Sequence, residues 1–357
     1  MQYSYPYTLL EGDSSVMEHT WIQKAKQLLG SRYTWRIILA LELILVSANL
    51  FHSRSLLSGL AHGHFVHDSL QDDVPANVDW SRYAYAQYVT NEQYLCNSVM
   101  IFESLHRVGA KASKVMMYPS HWNITGDSQK GKLIRQARDT YGVQLSPIHV
   151  QHLPGDTTWA DSFTKLLAFN QTQFQRVLSL DSDATVLQDM DELFFLPSSP
   201  VAVPRAYWLD HKLATHLVLV EPSEFEFERV VKAFANRADD EYDMEIVNRL
   251  YGEDCGIIPH RKYALLTGEF RSDSHRKYLG SEEEVWDPER VLEEAKYVHF
   301  SDWPLPKPWM PHSKTQEEEL QPECHPTSEG EDCRDRDIWL GLYADFRRRR
   351  DLCYGST

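Results

Sequence analysis

Two carboxylates set two residues apart, Asp181 and Asp183, follow the apolar run Val177, Leu178, Leu180 and precede the apolar pair Val186-Leu187. This pattern predicts a buried strand that ends in acid. Positions i and i+2 of extended backbone lie on one side, so both side chains can reach a single divalent cation. Open α/β sheets bind ligands beyond the carboxyl ends of their strands, and an acidic strand end there predicts a metal–nucleotide site. A diphosphate leaving group carries two negative charges, which a Mn2+ or Mg2+ held by carboxylates offsets as a Lewis acid. A third ligand must come from elsewhere in the chain. His299 closes an apolar strand-like run, and Lys307 follows in a loop stiffened by Pro304, Pro306, Pro308 and Pro311. An imidazole beside two carboxylates suits Mn2+ better than Ca2+. Lys307 is placed to neutralise a departing phosphate.

Each of these residues has a plainer meaning when taken alone. A lone D-x-D is often a surface turn, His299 a satisfied strand histidine, and Lys307 a solvated loop charge. The same five residues, Asp181-Ser182-Asp183-Ala184-Thr185, also spell the D-x-D-x-T of haloacid-dehalogenase-like phosphatases, in which Asp181 would attack phosphorus. Those proteins usually open their core domain with the motif, whereas three β/α units precede it here. They also need a later apolar strand ending in paired acids. Asp239-Asp240 follows Asn236-Arg237-Ala238, and Glu253-Asp254 follows Tyr251-Gly252, so neither pair ends an apolar strand.

The elements that must position the acidic strand alternate. Ala84–Thr90 reads as a strand, followed by a helix with Leu95, Val99, Phe102 and Leu105 on one side that stops before Gly109. Lys114–Tyr118 is a strand, Lys132–Tyr141 a helix capped by Gly142, and Val143–Val150 a strand. A helix capped by Thr157 or Thr158 and carrying Trp159, Phe163, Leu166, Leu167 and Phe174 leads into the acidic strand. Val201–Trp208 and Ala214–Val220 are strand-like; Phe225–Phe234 and Met244–Tyr251 are helix-like. Strands alternating with helices predict an α/β fold with a mainly parallel central sheet. An apolar stripe of Ile338, Trp339, Leu342, Tyr343 and Phe346 predicts a C-terminal helix docked on that core.

The chain has 357 residues and a formal net charge of −16, with acid spread throughout. Such a surface repels polyphosphate backbones, which argues against nucleic-acid partners. The basic run Arg347–Arg350 reads as a solvated helix face. Ile37–Phe51 is the long apolar run, preceded by Tyr33, Trp35 and the basic residues Lys24, Lys26, Arg32 and Arg36. The charge bias predicts a signal anchor over 37–51, with 1–36 as a cytosolic tail, 52–79 as a stem and 80–357 as a luminal domain. The short span suits a thin early-secretory bilayer. Five cysteines are an odd count. Cys324 and Cys333 are close enough to pair in an oxidising lumen, while Cys96, in an apolar helix pattern, reads as a buried thiol. The sequons at Asn123 and Asn170 fit a luminal chain.

Taken in order, YVTNEQY (88–94), FTKL (163–166), LDSDATVLQDMDELF (180–194), DMEIVN (243–248) and the HF…KPW segment (299–309) resemble glycosyltransferase family 8, the glycogenin-like retaining transferases of the GT-A fold. The wording of DMEIVNRLYG and WLGLYADFRRRR is similar to fungal Golgi N-acetylglucosaminyltransferases of that group. The resemblance implies a GT-A domain, a UDP-sugar donor, a glycan acceptor, Mn2+ (or Mg2+) and a Golgi type II membrane location. It implies that Thr90, Asn91 and Tyr94 hold the uridine, and that Asp181, Asp183 and His299 bind the metal, Asp181 also lying near the ribose. It further implies Lys307 at the diphosphate, and Lys165 and Asp243 facing the donor sugar. Transfer would proceed with retention, by front-face attack. Two departures lie on the sugar side: Ala214-Thr215-His216 stands where the family commonly has N-S-G, and Glu245 replaces the glycine of D-Q-G. A catalytically inactive glycan-binding relative is the further alternative.

Overall fold

A computed structural model describes residues 74–150, 162–209, 212–238, 240–328 and 330–355. No helix among the described residues is long and apolar enough to cross a membrane. The expected tail, anchor and most of the stem, 1–73, lie outside them.

The first half of the domain is built of β–α–β units. β1 (Tyr83–Tyr88) leads to α1 (Glu92–Arg107), then β2 (Ser113–Pro119), α2 (Gln129–Tyr141) and β3 (Val143–Ile148). Local chemistry sets these boundaries. Asn91 caps α1, its side-chain oxygen accepting from the N–H groups of Gln93 and Tyr94. Gly142 ends α2 at φ +68°, in left-handed backbone that glycine adopts without a Cβ clash. β4 (Arg176–Leu180) is buried along its whole length, as expected of a central strand covered on both faces. β5 (Ala184–Val186), β6 (Val201–Pro204), β7 (Leu217–Val220), α3 (Glu224–Ala235), α4 (Asp243–Tyr251) and β8 (Gly256–Ile258) follow, then β9 (Leu265–Leu266) and β10 (Tyr297–His299).

The central sheet has seven strands in the order β3-β2-β1-β4-β7-β6-β8. β1 is parallel to both β2 and β4, and β7 is the antiparallel member. The chain winds outward from β1 to β3 and returns to begin β4 on the other side of β1. Asp181 therefore leaves the sheet at the point where strand order reverses, the crevice where α/β sheets bind ligands. A second sheet, β5-β10-β9, stands beside it, with β10 antiparallel to β5 and His299 opposite Ala184.

Three expectations are corrected. The segment before β4 is a 3-10 helix over Ser162–Asn170, not an α-helix, and 151–161, with Thr157, Thr158 and Trp159, lie outside the described residues. Its buried Phe163, Leu166 and Phe169 recur every third residue, the period of a 3-10 turn. Cys96 is not a free thiol but is bonded to Cys353, 257 residues away, alongside the expected Cys324–Cys333 pair. The basic run is only partly solvated. Arg347 pairs with Glu317, Arg349 with Glu103 and Ser104, and Arg350 with Asn97, so three of the four side chains turn back onto the domain.

Those contacts dock the C-terminal helix (Arg334–Arg349), which also reaches the domain through a buried carboxylate. Asp302, whose side chain is fully buried, accepts from the indole N–H of Trp339 at 3.0 Å and from Tyr343 Oη at 2.8 Å. It also accepts from the hydroxyl of Thr267, and Arg271 lies 3.6 Å away. Gly268 is required beside this junction, because a Cβ there would sit 2.6 Å from the carbonyl oxygen of Ser301.

Replacing both Cys96 and Cys353 by serine is expected to lower stability by about 2–4 kcal/mol, the usual effect of opening a long disulfide loop; urea unfolding under non-reducing conditions measures it. Asp302→Ala leaves the buried indole N–H of Trp339 and the hydroxyl of Tyr343 without an acceptor. It is expected to cost about 3 kcal/mol or more, read as a fall in Tm.

Candidate active site

Strand register assembles the centre. β4 ends at Leu180, Asp181 and Asp183 occupy the short link, and β5 begins at Ala184. Antiparallel pairing sets His299 opposite Ala184, and the N–H of Phe300 donates to the carbonyl of Asp183 at 2.9 Å. A residue 116 positions further along the chain than Asp183 thus lies beside it because two short strands pair. Ligand atoms of Asp181, Asp183 and His299 all lie within 4.8 Å of one another.

Each carboxylate is met by a lysine. Lys307 Nζ is 2.6 Å from Asp183 Oδ2, and it also donates to the carbonyl of Phe300 at 2.5 Å, which closes its proline-rich loop. His299 Nε2 is 3.3 Å from Asp183 Oδ1. Burial pulls the Asp183 carboxyl upward, but Lys307 and His299 outweigh it and hold it well below the usual carboxylate range. Asp181 shifts the other way. Burial raises it, the Lys165 ammonium opposes that, and the neighbouring Asp183 adds to it.

Lys165 comes from the 3-10 helix and is buried. Its ammonium lies 2.9 Å from Asp181 Oδ1, 2.9 Å from Asp243 Oδ2 and 3.2 Å from the carbonyl of Thr215. An ammonium has three donors, and here they join the acidic link, the start of α4 and the segment before β7. Burial opposes the charge on Lys165, but the two carboxylates outweigh it and raise its pKa. Asp243 is the first residue of α4, where a carboxylate also meets the positive end of the helix dipole.

The remaining expected residues line the same sheet edge. Thr90 and Asn91 follow β1, and Tyr94 packs edge-on against Trp309 at 5.6 Å, so the segment expected to hold the uridine touches the K-P-W loop. Trp309 in turn meets Phe346 of the C-terminal helix at 5.7 Å. The two sequence departures have structural uses. Glu245 accepts from the N–H of Tyr242 at 3.0 Å, which satisfies a backbone donor at the start of α4. His216 is buried, stacked on His299 at 5.1 Å and nearly parallel to Tyr297 at 5.9 Å. Burial, then the nearby His299, hold its pKa well below the usual value, so it stays neutral.

Sequence reasoning passed over Tyr88, whose hydroxyl donates to Asp181 Oδ1 at 3.0 Å, and Asn248, which makes both backbone bonds to Leu213 at 2.8 and 2.9 Å. Tyr88 carries no signal beyond its place at the end of a strand next to β4. Asn248 stood inside the DMEIVN segment, but only its face of α4 reveals the role. The donor set fits a divalent cation: two carboxylates and an imidazole whose other nitrogen, Nδ1, is buried with no hydrogen-bond partner among the described residues.

No family model matches the chain. It is 56% identical over 281 residues to Glucose N-acetyltransferase 1 of Gibberella zeae, covering 75% of this chain and 62% of that protein. It is 44% identical over 299 residues to the Aspergillus fumigatus protein of the same name, covering 77% of this chain and 78% of that one. A shorter likeness, 25% identity over 133 residues, joins it to glycogenin of Neurospora crassa, covering 35% of this chain and 18% of that one. Among solved structures, the bifunctional glycosyltransferase WbbM shares the fold, with a TM-score of 0.50 at 12% identity over 77% of this chain and 52% of that one. The chain spans 62% of the Gibberella protein's length, and 78% of the Aspergillus protein's. On these relatives, the chain belongs to the fungal enzyme family that carries the name Glucose N-acetyltransferase 1, on an α/β glycosyltransferase fold.

Proposed function

We propose that the protein is a retaining, Mn2+-dependent glycosyltransferase that moves a sugar from a UDP-sugar to a luminal glycan acceptor. The observation that carries this reading is the convergence of Asp181, Asp183 and His299 within 4.8 Å at the switch point of the sheet. When bound there, a divalent cation would supply Lewis-acid stabilisation of the diphosphate. The chain's own residues account for the rest. Lys307, fixed by Phe300, would offer a positive charge to the departing β-phosphate. Lys165 positions Asp181 and Asp243 rather than facing solvent, and Asp243 borders the donor-sugar side. Thr90 and Tyr94 form the wall for the uridine. Asn91 starts α1 next to them, its side-chain oxygen already committed to the cap.

The relatives' name joins glucose to an N-acetyl group, the two parts of an N-acetylglucosaminyl unit. That supports GlcNAc as the donor sugar, ahead of glucose or galactose. The glycogenin likeness supports family 8. The two disulfides and the exposed sequon residues Asn123 and Asn170 support an oxidising, luminal setting. An anchor over 37–51 would then hold the domain at the Golgi membrane. A phosphatase is not favoured: the acidic link follows the fourth strand of the sheet, and Asp181, its would-be nucleophile, is tied to Lys165 and Tyr88.

The test is UDP release by the purified chain from UDP-GlcNAc, UDP-glucose and UDP-galactose, with and without Mn2+. Turnover is expected with Mn2+ alone, and Asp183→Asn should lower it by about 100-fold or more. Undiminished turnover in that variant would refute the metal assignment. UDP-independent release of phosphate from an aryl phosphate would favour the phosphatase instead.

A further inference from the structure

Trp303 is 90% exposed, the most exposed of the large hydrophobic side chains among the described residues. Isolated surface leucines or valines are ordinary, but an indole is the largest apolar group a chain can leave in water. This one is not at a loose end. Its neighbour Asp302 is fully buried and held by Thr267, Trp339, Tyr343 and Arg271. Two residues on, Leu305 is buried, and its N–H donates to the carbonyl of Asp302 at 2.8 Å. Pro304, Pro306 and Pro308 restrict the backbone between, and Lys307 ties back to Phe300. The loop is anchored on both sides of a ring that touches little of its own domain.

Its place in the chain keeps the ring near the acidic centre. Trp303 lies four residues after His299 and four before Lys307, both of which meet Asp183. Its Cα is thus no more than about 14 Å from that of either one. We infer that Trp303 is the platform on which a pyranose of the acceptor glycan stacks; this rests on the transferase reading above and names its acceptor side. A rigid indole offers a flat apolar surface at small entropic cost on binding. The C–H face of a pyranose matches that surface, and the indole N–H can donate to a ring hydroxyl. A lipid surface is the poorer match, because interfacial aromatic groups usually work beside free Lys or Arg, and the loop's basic residue, Lys307, is committed to Asp183 and the carbonyl of Phe300. The nucleotide is the poorer match as well, since the expected uridine wall, Tyr94, already packs on Trp309.

The experiment uses the full chain loaded with Mn2+ and UDP. Binding of methyl α- and β-D-hexopyranosides of the gluco, galacto and manno series is followed by saturation-transfer NMR, and UDP binding by calorimetry. Trp303→Ala is expected to weaken glycoside binding by about tenfold or more, Trp303→Phe to recover most of it, and UDP affinity to stay unchanged in both. With any of these glycosides accepted in turnover, the acceptor KM should rise in Trp303→Ala while Mn2+-dependent UDP-sugar hydrolysis continues. Equal glycoside binding by wild type and Trp303→Ala, or no binding by wild type, overturns the inference. Loss of UDP affinity in Trp303→Ala also overturns it, by moving the ring to the nucleotide side. So does Trp303-dependent attachment to phosphatidylcholine vesicles with glycoside binding unaltered. Glycoside binding that needs Trp303 in a chain with no UDP-sugar turnover would leave the platform standing and remove the transferase reading.

Discussion

Three carboxylates, Asp181, Asp183 and Asp243, are drawn to one end of the central sheet, and holding them together there is the constraint to which the surrounding elements answer. Carboxylates brought together away from water repel one another and lose hydration, so each needs a cation within reach. Lys165 supplies one between Asp181 and Asp243, and Lys307 supplies the other at Asp183. The two lysines arrive from different parts of the chain, one on a buried 3-10 helix that precedes β4 and one on a loop that follows β10. Removing either would leave an uncompensated charge rather than a mere gap. The tightness of this arrangement explains why the strand ends, the start of α4 and the segment before β7 must all meet at one place.

The second sheet and the C-terminal helix hold this arrangement from behind. β10 carries His299 to the acidic link, and the loop after it is pinned at Asp302 by two aromatic side chains of the C-terminal helix. Trp309 bridges the same loop to Tyr94 on one side and Phe346 on the other. The position of the imidazole and the second lysine therefore depends on residues more than thirty positions downstream. Packing at the far end of the chain is part of how the centre keeps its geometry.

What the sequence made readable followed from periodicity. The alternation from β1 to β3, the helix stops at Gly109 and Gly142, and the buried strand ending in acid are short-range patterns, and the observed elements match them to within a few residues. Asp181 and Asp183 carried their own signal. His299 and Lys307 carried a weaker one, a strand end and a proline-rich loop, because their approach to Asp183 comes from antiparallel pairing across more than a hundred residues; their order within a family motif strengthened it. The 3-10 helix was read as an α-helix because both patterns place apolar residues three apart. Asp302 went unnoticed, as a buried aspartate identifies itself only through partners at Thr267, Trp339 and Tyr343 that lie far off in sequence. Cys96 looked like core filling for the same reason, since Cys353 is 257 residues away.

That last bond has a consequence for how the molecule is made. A ribosome emits Cys96 early, and its partner only when nearly all of the described domain has already emerged. Until then the first helix waits with a reduced sulfur and with Glu103, Ser104 and Asn97 lacking the arginines that later cover them. Locking of the domain is thus late relative to the emergence of its first helix, and it needs an electron acceptor in the compartment where it takes place.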